Sequence, residues 1–172
     1  MSKYSVTQGI YEYIKPDNSN IPNLGVVYTA LPRVANEADL FTNTFSGLGF
    51  GAAIYLFITR QSERRIAMGG PHSGNKFRIY DTGMLIIFKS PIDVETWDAQ
   101  NNFDQFIDSL TEFIQANRTP NIPTSDIFQW GEGNETGGID IQIDYTIPRT
   151  INGESLLFQA VLHVNACEIL IT

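Results

Sequence analysis

The residues with the most chemical promise lie between Arg65 and Phe88. Gly69-Gly70-Pro71-His72-Ser73-Gly74-Asn75-Lys76 sets glycines and a lysine near the spacing of a loop that cradles phosphate. Such a loop needs Gly, four residues, then Gly-Lys-Ser/Thr, and it must open a helix whose free N–H groups face the phosphates. Here Asn75 separates Gly74 from Lys76, and Phe77-Arg78-Ile79-Tyr80 reads as strand. The glycines also miss the dinucleotide pattern. The segment is expected to be a wide turn between two strands, with Gly and Asn supplying the backbone angles.

Other arrangements fall short in similar ways. His72 and His163 are the only histidines and have no partner at metal-ligand spacing. His72 reads as a solvated loop residue. His163 lies on the polar side of the last strand pattern, either exposed or against a neighbour. Cys167 stands alone, which excludes an intrachain disulfide and a cysteine cluster. In an apolar strand it reads as a small core residue, and it points weakly to a reducing compartment. Ser73 lacks the strand–Gly-x-Ser-x-Gly–helix context of an activated nucleophile. Asp140 and Asp144 project from one strand face and resemble a carboxylate pair, but acid–base work needs a pocket that shifts their pKa values. "WGEGNETGG" (130–138) is acidic and glycine-rich without the periodicity of a calcium loop. Trp97, Trp130 and Tyr80 could stack on a base or sugar; with this acidic balance they read as anchors of loops or of an interface. The expected protein has no catalytic residues, cofactor or metal.

These residues need a scaffold, and the 172 residues suffice for one domain, 1–172, with a substantial core. Apolar residues make up 42% of the chain, an ordinary share for a folded protein. Val6, Ile10, Tyr13 and Ile14 suggest a short helix stopped by Pro16. "PDNSNIPN" reads as a loop, Gly25–Leu31 as a strand, and Pro32–Gly49 as a long loop. Gly47–Ile58 is apolar but far shorter than the roughly 20 residues of a membrane helix, and its glycines disfavour helix. It leads into the first of two long strands, Phe50–Gln61 and Lys76–Lys89, apolar on both faces as central strands are. Met1–Ser5 shows no signal-peptide pattern.

The clearest element is a helix over 102–117. Phe103, Phe106, Ile107, Leu110, Phe113 and Ile114 form one apolar stripe, with Asn102 and Gln105 placed for a capping box and Pro120 as the stop. Ile127–Trp130 reads as a short strand. Ile139, Ile141, Ile143, Tyr145 and Ile147 alternate with polar residues, as in a half-exposed strand. Asn152-Gly153-Glu154 turns it into a final strand, Leu156–Ile171. The fold class expected is α+β: a mostly antiparallel sheet of five or six strands with two helices packed on one face. Strands do not alternate with helices, which argues against a doubly wound sheet.

Charge is unevenly distributed. The net is −8, which disfavours a surface that grips DNA through phosphates. Residues 1–79 hold eight Lys/Arg and five Asp/Glu, a net of +3; residues 80–172 hold three and fourteen, a net of −11. The basic excess gathers at Arg60, Arg64, Arg65, Lys76 and Arg78. It reads as a solvated rim, or as one of two complementary faces through which copies of the chain meet.

The order of features resembles the tail terminator, or tail-completion, proteins of long-tailed bacteriophages. The resemblance covers most of 50–172. It runs through the strand ending in Arg60, Arg64 and Arg65, the turn with Gly74 and Lys76, and the strand with Tyr80 and Leu85-Ile86-Ile87. It continues through the helix of Trp97-Asp98, Asn102-Phe103-Asp104, Ile107 and Leu110, then Gly131-Glu132 and a last strand carrying Glu168. It implies a structural virion protein at the head–tail junction, made in the host cytoplasm. Typically six copies form a ring that caps the head-proximal end of the tail tube and meets the neck, or head-completion, proteins. A ring needs a head-to-tail interface, for which Arg60, Arg64, Arg65, Lys76 and Arg78 are the candidate residues. An acidic channel would let DNA pass without specific binding, with Glu132, Asp140 and Asp144 as candidate lining. Two alternatives stand beside this: another neck or tail-tube subunit, which should show more strand and a long protruding hairpin, and a small-molecule-binding domain, which should show an apolar pocket lined by Trp97 and Trp130.

Overall fold

The computed structural model describes residues 3–33, 37–46, 49–65, 75–118, 128–131, 139–151, 153 and 155–171. The elements run α1 (Lys3–Ile14), α2 (Pro16–Ser19), β1 (Leu24–Tyr28), α3 (Glu37–Thr44), β2 (Gly51–Arg65), β3 (Asn75–Pro91), α4 (Thr96–Ala116), β4 (Phe128–Trp130), β5 (Ile141–Ile151) and β6 (Ser155–Ile171). The class is α+β. The strands form one sheet in the order β1-β2-β3-β6-β4, with β5 also on β6. All pairs are antiparallel except β1 with β2.

Alternation along the central strands splits the apolar side chains between two faces. On one face, Ala52, Ile54 and Leu56 of β2, Met84, Ile86 and Phe88 of β3, and Phe158, Ala160, Leu162 and Val164 of β6 meet α1 and α4. The predicted stripe of α4 is that contact: Phe103, Phe106, Ile107, Leu110 and Ile114 are buried. Val6, Ile10 and Ile14 bury the matching side of α1.

Pro32–Gly49 is not simply a loop. Phe41 and Phe45 of the α3 region pack with Ala53, Tyr55, Ile87 and Leu157 on the opposite face. Lys89 stands over the rings of Phe41, Phe45 and Phe50 at 5.1, 5.6 and 5.3 Å, a cation–π cluster that pins α3 to β3. The two expected helices do share a face, and a third covers part of the other. This helix also explains the parallel β1–β2 pair, since a parallel neighbour requires a crossover that carries the chain back. One β-α-β unit therefore sits inside a sheet expected to have none.

Two boundaries also shift. Pro16, tolerated in the first helical turn, opens α2 where a loop was expected. Helix α4 begins at Thr96, not at Asn102. Glu95 occupies its N-cap without a side-chain bond, so the Asn102–Gln105 capping box does not exist. Among the described residues, no helix is long and apolar enough to cross a membrane.

Strands β4 and β5 both run along the same edge of β6. Trp130 faces Ala166, the Gly131 N–H donates to the Asn165 carbonyl at 2.7 Å, and Ile141 faces Val164. They are one strand direction interrupted between 131 and 141, and Gly131 leaves the ladder with φ 87°. Gly153, with φ 67°, sits in the β5–β6 hairpin turn predicted for 152–154.

Candidate functional site

The chemistry gathers where β2, β3 and β6 extend beyond β1. Strand β1 pairs with β2 only as far as Tyr28 against Tyr55, whereas the β2–β3 ladder continues to Arg65 against Lys76. The two long strands expected over Phe50–Gln61 and Lys76–Lys89 run a few residues further, to 15 and 17 residues. Thr59, Arg60, Gln61, Ser62 and Glu63 are all exposed, so this arm has solvent on both faces of β2.

The basic rim lies on this arm, and much of its charge is compensated within the chain. A register shift between Ile58 and Arg60 sets Arg60 opposite Asp81, and Arg60 Nε meets Asp81 Oδ2 at 2.8 Å. Glu63 holds Lys76 at 3.1 Å and Arg78 at 3.2 Å. Hydrogen bonds from Lys76 and then Arg78 keep the Glu63 carboxyl below its ordinary range. Arg64 and Arg65 are described by backbone alone.

Arg78 also reaches inward. It stands opposite Glu168 in the β3–β6 register and meets Glu168 Oε1 at 3.1 Å. The Tyr80 hydroxyl donates to the same oxygen at 2.9 Å. Glu168 is 1% exposed, and its Oε2 has no hydrogen-bond partner among the described residues. Burial pushes the Tyr80 hydroxyl up to about 12, with the Arg78 contact opposing and the Glu168 contact adding to the rise. A carboxylate buried on the apolar face persists because a guanidinium and a phenol engage it. Tyr80 and Trp130 are anchors of this interior; both are fully buried.

The opposite face of the arm carries a polar cleft of about 430 Å³, crossing β2, β3, β6 and β5. Thr59, Arg60, Asp81, Asn165, His163, Gln142, Asp140 and Asp144 line it. Asp140 and Asp144, expected at a channel, therefore share one surface with Arg60, expected at a subunit contact. His163 is half-buried, edge-on to Phe57 with ring centres 6.4 Å apart, and its Nε2 lies 3.9 Å from Asp144 Oδ2. Phe57 lies flat over β3 at Gly83, where a Cβ would stand 2.2 Å from the ring. Only glycine admits the Phe57 ring there, beside His163 of the cleft.

The sequence assigned Arg60, Lys76, Arg78, Asp140 and Asp144 to surface roles, and all five lie on or beside this arm. Glu132 and the Gly69–Gly74 turn with His72 and Ser73 fall outside the described residues. Trp97 is exposed at the start of α4 and Trp130 is buried, so they line no common pocket. The Glu168–Tyr80–Arg78 cluster escaped sequence reading because its members sit on two strands and meet only through register. Among the described residues, no three His, Cys, Asp or Glu side chains are grouped to hold a metal ion.

No family model matches the chain, and no curated protein matches it. One solved chain, whose name describes no function, superposes with a TM-score of 0.41 at 10% identity, over 98% of this chain and 96% of its own. Likeness at that level carries no argument about function.

Proposed function

We propose that this chain is a structural phage protein that forms a ring, typically of six copies, capping the head-proximal end of the tail tube and joining it to the neck. The observation that carries the reading is the distribution of charge across one sheet. An arm bearing Arg60, Arg64, Arg65, Lys76 and Arg78 extends beyond β1, and carboxylates line the edge formed by β5. Two unlike patches on one subunit are what a closed head-to-tail ring requires. In this reading the helix-backed sheet is the ring wall. Asp140 and Asp144, exposed on the face free of α1 and α4, give the channel a sign that repels DNA phosphates. The partners are further copies of the chain, the tail-tube protein and the neck protein, and the site of action is the virion. The chain acts by shape and charge without catalysis.

A second reading is favoured by one specific observation. The β2–β3 hairpin is long, and a long hairpin is the feature expected of a tail-tube subunit. The two readings differ in what the protein does with tubes. Purified protein is added to growing tail tubes, and the tubes are imaged by negative-stain electron microscopy. A terminator leaves single rings at tube ends and halts growth. A tube subunit stacks into long tubes by itself. Protein that neither binds tube ends nor stacks would refute both.

A further inference from the structure

Among the described residues the sheet has two open edges, and they are complementary. On one side, β2 is unpaired along its outer edge from Leu56 to Arg65 among the described residues, because β1 ends against Tyr55. On the other side, β5 pairs with β6 alone among the described residues. A row of unpaired backbone N–H and C=O groups is a template for another strand. Edge β5 adds apolar surface: Ile147 is 83% exposed and Tyr145 57% exposed. Pro148 and the register shift between Thr146 and Arg149 interrupt β5 beyond that point, leaving Ile141–Thr146 as the regular stretch.

Charge identifies the occupant. The open part of β2 carries Arg60, Arg64 and Arg65 against Glu63, a net of +2. The open part of β5 carries Asp144, with Asp140 just before it. Asp104 and Asp108 of α4 flank the other face, close enough to Tyr145 to add to the upward shift that burial gives its hydroxyl. Pairing β2 with β2, or β5 with β5, would set like charges together, which destabilises cross-strand pairs. Pairing β2 with β5 sets arginines against aspartates. Direction fits as well. Strands β2 and β6 run one way and β3 and β5 the other, so β5 of one copy laid beside β2 of the next continues the antiparallel alternation.

We infer that copies of this chain join head to tail by strand addition, with the Leu56–Arg65 edge of one subunit pairing antiparallel to the Ile141–Thr146 edge of the next. Main-chain hydrogen bonds hold the contact and the Arg–Asp pairs fix its polarity. This deepens the ring reading above and names the contact by which the ring would close.

The test is charge-swap complementation, read as oligomer mass by light scattering over a dilution series, with circular dichroism to confirm folding. Asp144→Arg alone and Arg64→Glu alone each place like charges in the contact and should weaken association about tenfold. Mixing the two variants in equal amounts should restore wild-type assembly, because each contact then pairs unlike charges. The double variant in one chain should restore it too. A wild-type chain that stays monomeric to its solubility limit would overturn the inference, as would assembly indifferent to both substitutions. Restoration of Arg64→Glu by wild type alone, with Asp144→Arg silent, would assign the contact to β2 against β2 and overturn it likewise. In each of these cases tube-end capping, scored separately by microscopy, still decides the ring reading.

Discussion

Replacing Glu168 probes the interior ion pair directly. Glu168→Ala removes the acceptor of the Tyr80 hydroxyl and the inward partner of Arg78. Breaking a buried pair costs about 3–5 kcal/mol. Here Arg78 is 18% exposed and keeps Glu63 at 3.2 Å, so the loss should sit at the low end, about 3 kcal/mol. For a chain of this size that is a fall in Tm of about 6–12 °C. Glu168→Gln keeps the volume and the Oε1 acceptor and loses only the charge, so it should cost about 1–2 kcal/mol. Thermal unfolding followed by circular dichroism reads both. A cycle of Glu168→Ala with Tyr80→Phe should show a coupling of about 1 kcal/mol, because each substitution removes the hydrogen bond the two groups share. The difference between wild type and variant should persist at high salt, since a buried pair is weakly screened. A Glu168→Gln protein as stable as wild type, or more so, would refute the reasoning. It would mean that desolvating the carboxylate costs more than its two partners return.

Other substitutions read other parts of the interior. Thr82 is fully buried and its hydroxyl has no partner among the described residues, so Thr82→Val should raise stability by about 1 kcal/mol, measured by urea unfolding. Gly83→Ala should cost about 1–3 kcal/mol because the new methyl displaces the Phe57 ring, and Phe57→Leu in the same chain should recover part of it. Burial pushes the hydroxyls of Tyr13 and Tyr80 up to about 12. Between the unfolded value near 10 and that folded value the unfolded chain binds fewer protons, so stability should fall as pH rises through this window. Absorbance titration should show Tyr13 and Tyr80 among the late-ionising tyrosines, and Tyr80→Phe should remove one late step.

Much of the fold is legible in the sequence because it rests on apolar periodicity. The stripe from Phe103 to Ile114 and the alternation from Leu156 to Val164 each encode the face they bury. Helix α3 carries a weaker signal. Phe41, Thr44 and Phe45 lie at spacings of three and four, but polar residues surround them and their partner face belongs to distant strands. The start of α4 was hidden for a related reason: between Thr96 and Asn102 only Ala99 is buried, so the first two turns leave no stripe. The surface charges of the arm were visible as composition. Their partners were not, since Arg60 with Asp81 and Arg78 with Glu168 meet across strands, and no local spacing specifies that register. The break between β4 and β5 shows in the sequence as the glycine-rich 130–138 stretch, but that both strands lie along one edge of β6 does not, because it is defined by positions on β6.

That interruption has a practical consequence. The chain leaves β6 opposite Asn165 and rejoins it opposite Val164, so the two ends of the detour are anchored next to each other by an uninterrupted strand. The entropy of closing such a detour grows only with the logarithm of its length, about 0.6 kcal/mol per doubling. A peptide inserted between Gly131 and Ile139 would therefore begin and end beside neighbouring positions of one strand.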